Sequence, residues 1–281
     1  MDVSTPPDPS EECWLADIEG VGKFTQRQLM AMQYLGDMMR DCTNGLKGYS
    51  WLMSKVDELI NDEVSASVAK QMIGTWPAKR LSGFGEGFQM NWSHLYCAGD
   101  ACWYNDNYIQ AFAKTLEVKY DNNCMVYLPQ LKTPAPHMGK RIGPRALGLL
   151  TGTNKDWVFM PLNVNGNHWM GLVVNRPRQT IYCYDSLDKR AYHNLLEELA
   201  QELNQGVMKQ SYEIVAVHTP VQTDSSNCGL FVCLYFWRRV YKEAGNDYSE
   251  TGLLRRRWDV LRSVIFSDSC KKEDEDDKGS P

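Results

Sequence analysis

An α+β fold is what the sequence predicts: a small, mainly antiparallel sheet packed by helices, preceded by an N-terminal helical segment. Three observations carry this. Apolar residues recur at helical spacing before residue 120. Short β-rich runs separated by turn residues cluster between 157 and 217. An amphipathic helix interrupts those runs, and a nearly all-apolar one follows them.

Bulk properties narrow the classes. With 281 residues the chain can bury a proper core, and its 43% hydrophobic and 23% charged residues are those of a globular protein. A net charge of −5 provides no basic footprint, so no nucleic-acid partner is expected. No apolar run approaches the ~20 residues of a membrane span, so no membrane partner is expected either. The acidic, Pro-rich start MDVSTPPDPSEE is unlike a signal or transit peptide. Nine cysteines occur without a CxxC pair, and no group of cysteines and histidines has ligand spacing. The expectation is therefore reduced thiols, no metal and no cofactor, in the cytoplasm or nucleus; a secreted effector would share these features.

In chain order, 1–12 read as a disordered leader and 13–94 as a helical accessory segment. Within that segment, 24–42 place Leu29, Met32, Leu35, Met38 and Met39 on one helical stripe, expected to be core. Further helices are expected over 49–60 and 64–73, divided by Gly-containing turns and stopped by Pro77. Residues 79–99 show no period. A helix entered through Asn105 or Asp106 would bury Ile109, Phe112, Ala113 and Leu116. A short strand is expected over 125–128, and 132–147 read as an exposed loop containing a solvated His137. Strands follow at 157–162, 168–175, 180–185 and 212–217, with a helix over 189–205 closed by Gly206. His193 on that helix is expected to face solvent. A last helix covers 253–266, and 267–281 read as a disordered charged tail.

The candidate chemistry lies in 219–233, TPVQTDSSNCGLFVC. A polar loop runs into Cys228-Gly229 and an apolar helix, with Ser225, Ser226 and Asn227 as candidate N-caps. A cysteine in the first turn of a helix faces free N–H groups and the positive dipole end, which favour the thiolate. Gly229 would let the backbone approach the group under attack. A small buried hydrophobe is the competing reading of Cys228. Of five histidines, His168 opens a strand directly after a polar turn, and Asp185 ends the next strand. A carboxylate there can fix the imidazole tautomer and stabilise the imidazolium. Gln222 can offer a side-chain N–H to a developing oxyanion. The plain alternatives are that Asp185 caps a turn, Trp169 is core and Gln222 is surface loop.

Together, His168-Trp169, Asp185-Ser186 and Gln222…Asn227-Cys228-Gly229 resemble the ubiquitin-like-protein-specific cysteine proteases of the Ulp/sentrin-protease type. Trp103-Tyr104-Asn105-Asp106…Ile109 is similar to the helix that opens that family's catalytic domain. The resemblance covers roughly 95–266 and implies a papain-like cysteine peptidase fold, with Cys228 as nucleophile, His168 as general base, Asp185 as its orienter and Gln222 as oxyanion donor. Trp169 and Trp103 would roof a tunnel over the substrate's C-terminal Gly-Gly. The implied activity is peptidase or isopeptidase cleavage after that Gly-Gly, through a thioester, with a SUMO-like modifier or its conjugates as partner and the enzyme a monomer. Asn227 stands where the family usually has Asp and Tyr104 where it has Leu, while 1–94 carry none of the family's motifs, so the resemblance does not say which modifier is bound. A Cys/His acyltransferase and an inactive ubiquitin-like-binding module are the alternative readings.

Overall fold

The computed structural model describes residues 14–60, 62–84, 87–129, 131, 141–208, 210–241 and 244–267. The expected leader, most of the expected tail, and His137 with its loop at 132–140 lie outside these residues.

A five-stranded sheet positions the site. Its order is β3 (Asn123–Met125), β4 (Trp157–Val164), β5 (His168–Asn175), β6 (Thr180–Asp185) and β7 (Glu213–Val217). The central three strands are antiparallel, as the turn signals require, and one parallel strand is added at each edge. The parallel edges were not readable locally, because a parallel neighbour needs a long crossover rather than a hairpin turn. Strand β4 continues through Pro161 to Val164, opposite His168.

Both faces of the sheet are covered, so β5 is buried along its whole length. Leu172 and Val174 share one face with α5 (Pro144–Gly152) and α6 (Arg190–Gly206). Trp169 and Val173 share the other with α4 (Asp106–Lys119), α7 (Cys228–Val240) and α8 (Glu250–Ile265). Helix α4 is capped by Asn105, whose side chain accepts from Tyr108 N, and it buries the four apolar residues that its spacing singled out. Helix α5 begins at Pro144, inside the stretch read as loop; proline is at home in the first turn of a helix.

The accessory segment departs most from expectation. A hairpin, β1 (Trp14–Ile18) and β2 (Gly22–Thr25), precedes the helices. Helix α1 (Gln26–Trp51) passes through a π-helical turn (52–56) into α2 (Asp57–Ile60), with no loop between. The glycines that suggested a turn serve close packing: a Cβ on Gly48 would lie 2.5 Å from Met72 Sδ on α3 (Glu63–Gly74). The stripe expected as core is largely open instead: Met32, Leu35 and Met39 are exposed by 55, 52 and 70%, while Leu29 and Met38 are half-buried. The later part of the segment is well buried. Trp51, Leu52, Val56, Val68 and Met72 join the same cluster as α7 and α8, and Trp258 Nε1 donates to Asp62 at 3.0 Å.

Candidate active site

Three chain reversals meet at one end of the sheet. Strand β5 starts at His168, while the β6 pairing stops at Met170 opposite Asp185. The His168 ring therefore lies beyond the last rung of that ladder. It is 4% exposed, and the Tyr192 ring of α6 stacks on it, with centroids 4.9 Å apart. On the α7 side it faces Cys228, whose sulfur favours the charged form of the ring.

Asp185 is fully buried. Its Oδ1 accepts from His168 Nε2 at 2.6 Å and from Leu187 N at 3.1 Å, and its Oδ2 accepts from Lys189 N at 2.8 Å. One carboxylate thus both caps the turn and bonds the imidazole, and the turn amides fix its position. With Nε2 engaged, Nδ1 is the nitrogen left for a thiol proton. Burial opposes charge on His168, but Asp185 and Cys228 outweigh it and raise the pKa to about 9.

Cys228 is the first residue of α7 and 2% exposed. The Asn227 side chain does not cap the helix. The turn is closed from behind by Asp224, whose carboxylate accepts from Ser226 N and Asn227 N, both at 2.7 Å, and from Asn227 Nδ2 at 2.9 Å. Burial works against the charge on Asp224, yet these donors hold its carboxyl below the usual value. Asn227 Oδ1 in turn accepts from Arg257 Nε at 2.9 Å. The Asn227 amide thus binds a carboxylate on one side and a guanidinium on the other, which a carboxylate in its place could not do.

Gln222 is buried and doubly anchored. Its Oε1 accepts from Ser186 Oγ at 2.5 Å, its Nε2 donates to Asp224 O at 2.8 Å, and its own N–H donates to Ser186 O. One Nε2 hydrogen is spoken for, and the second remains for an oxyanion. Ser186, next to Asp185, sets which end of the Gln222 amide is the donor.

The two tryptophans differ. Trp169 is buried, and its Nε1 donates to Tyr104 O at 2.8 Å. Trp103 is 52% exposed, and its Nε1 donates to Ser225 O at 2.9 Å, on the loop before Cys228. Both line a cleft of about 340 Å³ with Asp106, Tyr127, Asn163 and Gly166. Gly229 has a packing reason to be small: a Cβ there would lie 2.7 Å from Tyr104 Cβ.

Sequence reasoning missed Arg257. It is 1% exposed, and besides Asn227 it donates to the carbonyls of Gly99 at 2.6 Å, Cys102 at 2.8 Å and Ala98 at 3.2 Å, with Tyr104 under its guanidinium. It ties the 98–102 loop, which leads to Trp103, to the loop before Cys228. The RRRW run of α8 signalled surface charge, and only its helical phase distinguishes Arg257 from its two neighbours. Also missed was a second histidine–carboxylate group: His193, expected in solvent, is 6% exposed and donates through Nε2 to Asp188 at 2.9 Å.

The chain is similar to known proteins. Residues 150–263 match the family model for the Ulp1 protease family, C-terminal catalytic domain. Over 181 residues the chain is 25% identical to Ubiquitin-like-specific protease 1 of Saccharomyces cerevisiae, covering 60% of this chain and 28% of that relative's length. The fold is similar to the C-terminal Ulp1 protease domain solved in complex with Smt3, the yeast ortholog of SUMO, with a TM-score of 0.51 at 18% identity over 68% of this chain and 89% of the other. It is equally similar to the Chaetomium thermophilum Ulp1-like SUMO protease catalytic domain, with a TM-score of 0.51 at 18% identity over 74% and 94%. The resemblance read from the motifs is thus matched by the family model over 150–263, and the α+β fold is similar to that of these solved protease domains.

Proposed function

We propose that the protein is a cysteine peptidase or isopeptidase that cleaves after the C-terminal Gly-Gly of a ubiquitin-like modifier, a SUMO-like one first. The observation that carries this reading is the buried chain Asp185–His168–Cys228, ending on a sulfur at the start of a helix. The thiol proton resides on His168 as an imidazolium–thiolate pair with Cys228, and Asp185 holds the imidazolium. The thiolate attacks the carbonyl of the terminal glycine. The tetrahedral oxyanion is met by the backbone N–H of Cys228 and the free Nε2 hydrogen of Gln222. The imidazolium returns its proton to the leaving amine, leaving a thioester. Water, deprotonated by His168, attacks that thioester and regenerates the thiol.

The cleft between Trp103 and Trp169 supports the Gly-Gly requirement, because only residues without a side chain fit between two indoles. The Smt3 complex of the similar yeast domain supports a SUMO-like partner. The test is hydrolysis of C-terminal fluorogenic amides of a panel of ubiquitin-like proteins. Turnover of at least one Gly-Gly-ended member is expected, lost in Cys228→Ala and lost when the penultimate glycine of that substrate becomes alanine. Turnover that survives either change would contradict the reading.

A further inference from the structure

Three residues beyond Asp185 lies a second convergence of ionisable side chains. Asp188 Oδ1 accepts from His193 Nε2 at 2.9 Å and from His218 Nδ1 at 2.6 Å. The two rings are 4.8 Å apart and tilted by 44°. All three donor atoms lie within 4.8 Å of one another. Asp188 follows the turn after β6, His193 is in the first turns of α6, and His218 follows the end of β7. They are scattered along the sequence without ligand spacing, and the fold alone gathers them.

We propose that Asp188, His193 and His218 form a binding site for a late first-row divalent cation of the Zn²⁺ type. Two imidazole nitrogens and one carboxylate oxygen are a donor set that such ions favour. Both rings direct a nitrogen at the same oxygen, so one cation can replace two protons. Tetrahedral bonds of about 2.0–2.1 Å place donors roughly 3.3 Å apart, so each nitrogen must move from the oxygen by only about half an ångström. Asp188 and His218 are exposed and free to do so, while buried His193 is the fixed member. The exposed side admits water as the fourth ligand. The neighbouring cation, Lys189, is turned away, with its Nζ over the Tyr192 ring at 5.5 Å.

The location gives the cation a consequence. Asp188 is joined by a short turn to Asp185, and His218 lies four residues before Gln222. A bound ion ties the strand end that carries the orienting acid to the segment that leads to the oxyanion donor. This site is separate from the proposed catalysis and stands or falls independently of it.

The test removes the competing thiolate. Full-length Cys228→Ala protein is titrated with Co²⁺ and followed by visible absorption, then back-titrated with Zn²⁺. The expected result is one equivalent of tetrahedral d–d bands without thiolate charge transfer, bleached by Zn²⁺. Introducing His218→Ala or Asp188→Asn, both at exposed positions, weakens binding at least tenfold, with melting curves showing that the variants fold. Absence of the bands at millimolar Co²⁺, or bands that both variants leave unchanged, overturns the proposal.

Discussion

Two histidine–carboxylate groups, three residues apart on the same turn, have nearly the same hydrogen-bond lengths and opposite surroundings. Asp185 and His168 are sealed, at 0 and 4% exposure, and the ring faces one sulfur at a helix start. Asp188 is open and shared by two rings. The bond itself does not make a catalytic couple. Burial raises the electrostatic value of the pair, turn amides fix the carboxylate, and a third group gives the imidazole something to do. The second pair keeps an open face, which suits a ligand from solvent.

The sharpest way to break this comparison is to neutralise each carboxylate in turn. Asp185→Asn should lower kcat/KM on the order of 10³–10⁴-fold by releasing the tautomer, as in other triads. Asp188→Asn, in metal-free buffer, should change it by less than about threefold. Equal losses from both would show that the two pairs act as one unit.

Next in size is the oxyanion side. Gln222→Ala should cost roughly 10²–10³ in kcat with a smaller change in KM. Ser186→Ala, which leaves the amide in place but frees its orientation, should cost less than Gln222→Ala. A larger loss for the serine would mean that the amide is not the donor.

Packing around Cys228 gives a stability test. Gly229→Ala forces a methyl to within 2.7 Å of Tyr104 Cβ and should destabilise by about 1–3 kcal/mol in denaturant unfolding. Arg257→Met leaves buried carbonyls without donors, at about 1–3 kcal/mol for each group left unsatisfied. Unchanged midpoints would remove both residues from the account.

The smallest effect is the titration. His168 should lose its proton near pH 9 by NMR of its ring, falling toward 6.5 in Asp185→Asn. Because the folded value is raised, its contribution to stability is complete below 6.5 and disappears as pH rises through about 9. A ring that titrates near 6.5 in the native protein would show that Asp185 does not hold the charge.

What the sequence revealed was what short-range pattern encodes. The strand ends at His168 and Asp185 and the helix start at Cys228 were marked by turn residues beside apolar runs, and the four paired motifs stood at readable spacing. What it concealed was set by tertiary contact. Tyr192 over His168, Arg257 under the nucleophile loop and His193 against His218 come from elements far apart in the chain, and no local period announces them. The α1 stripe misled for the opposite reason: its spacing is helical, but spacing does not say whether another element covers the face.

The most direct test of the central claim, that Cys228 is a nucleophile served by the buried pair, is covalent capture. Wild type and Cys228→Ala are incubated with ubiquitin-like proteins carrying a C-terminal thiol-reactive warhead and examined by intact mass. The account predicts an adduct of one modifier mass with at least one Gly-Gly-ended member, mapped to Cys228 and absent from the variant. Folded wild type that forms no adduct with any member, or an adduct that persists in Cys228→Ala, would contradict it.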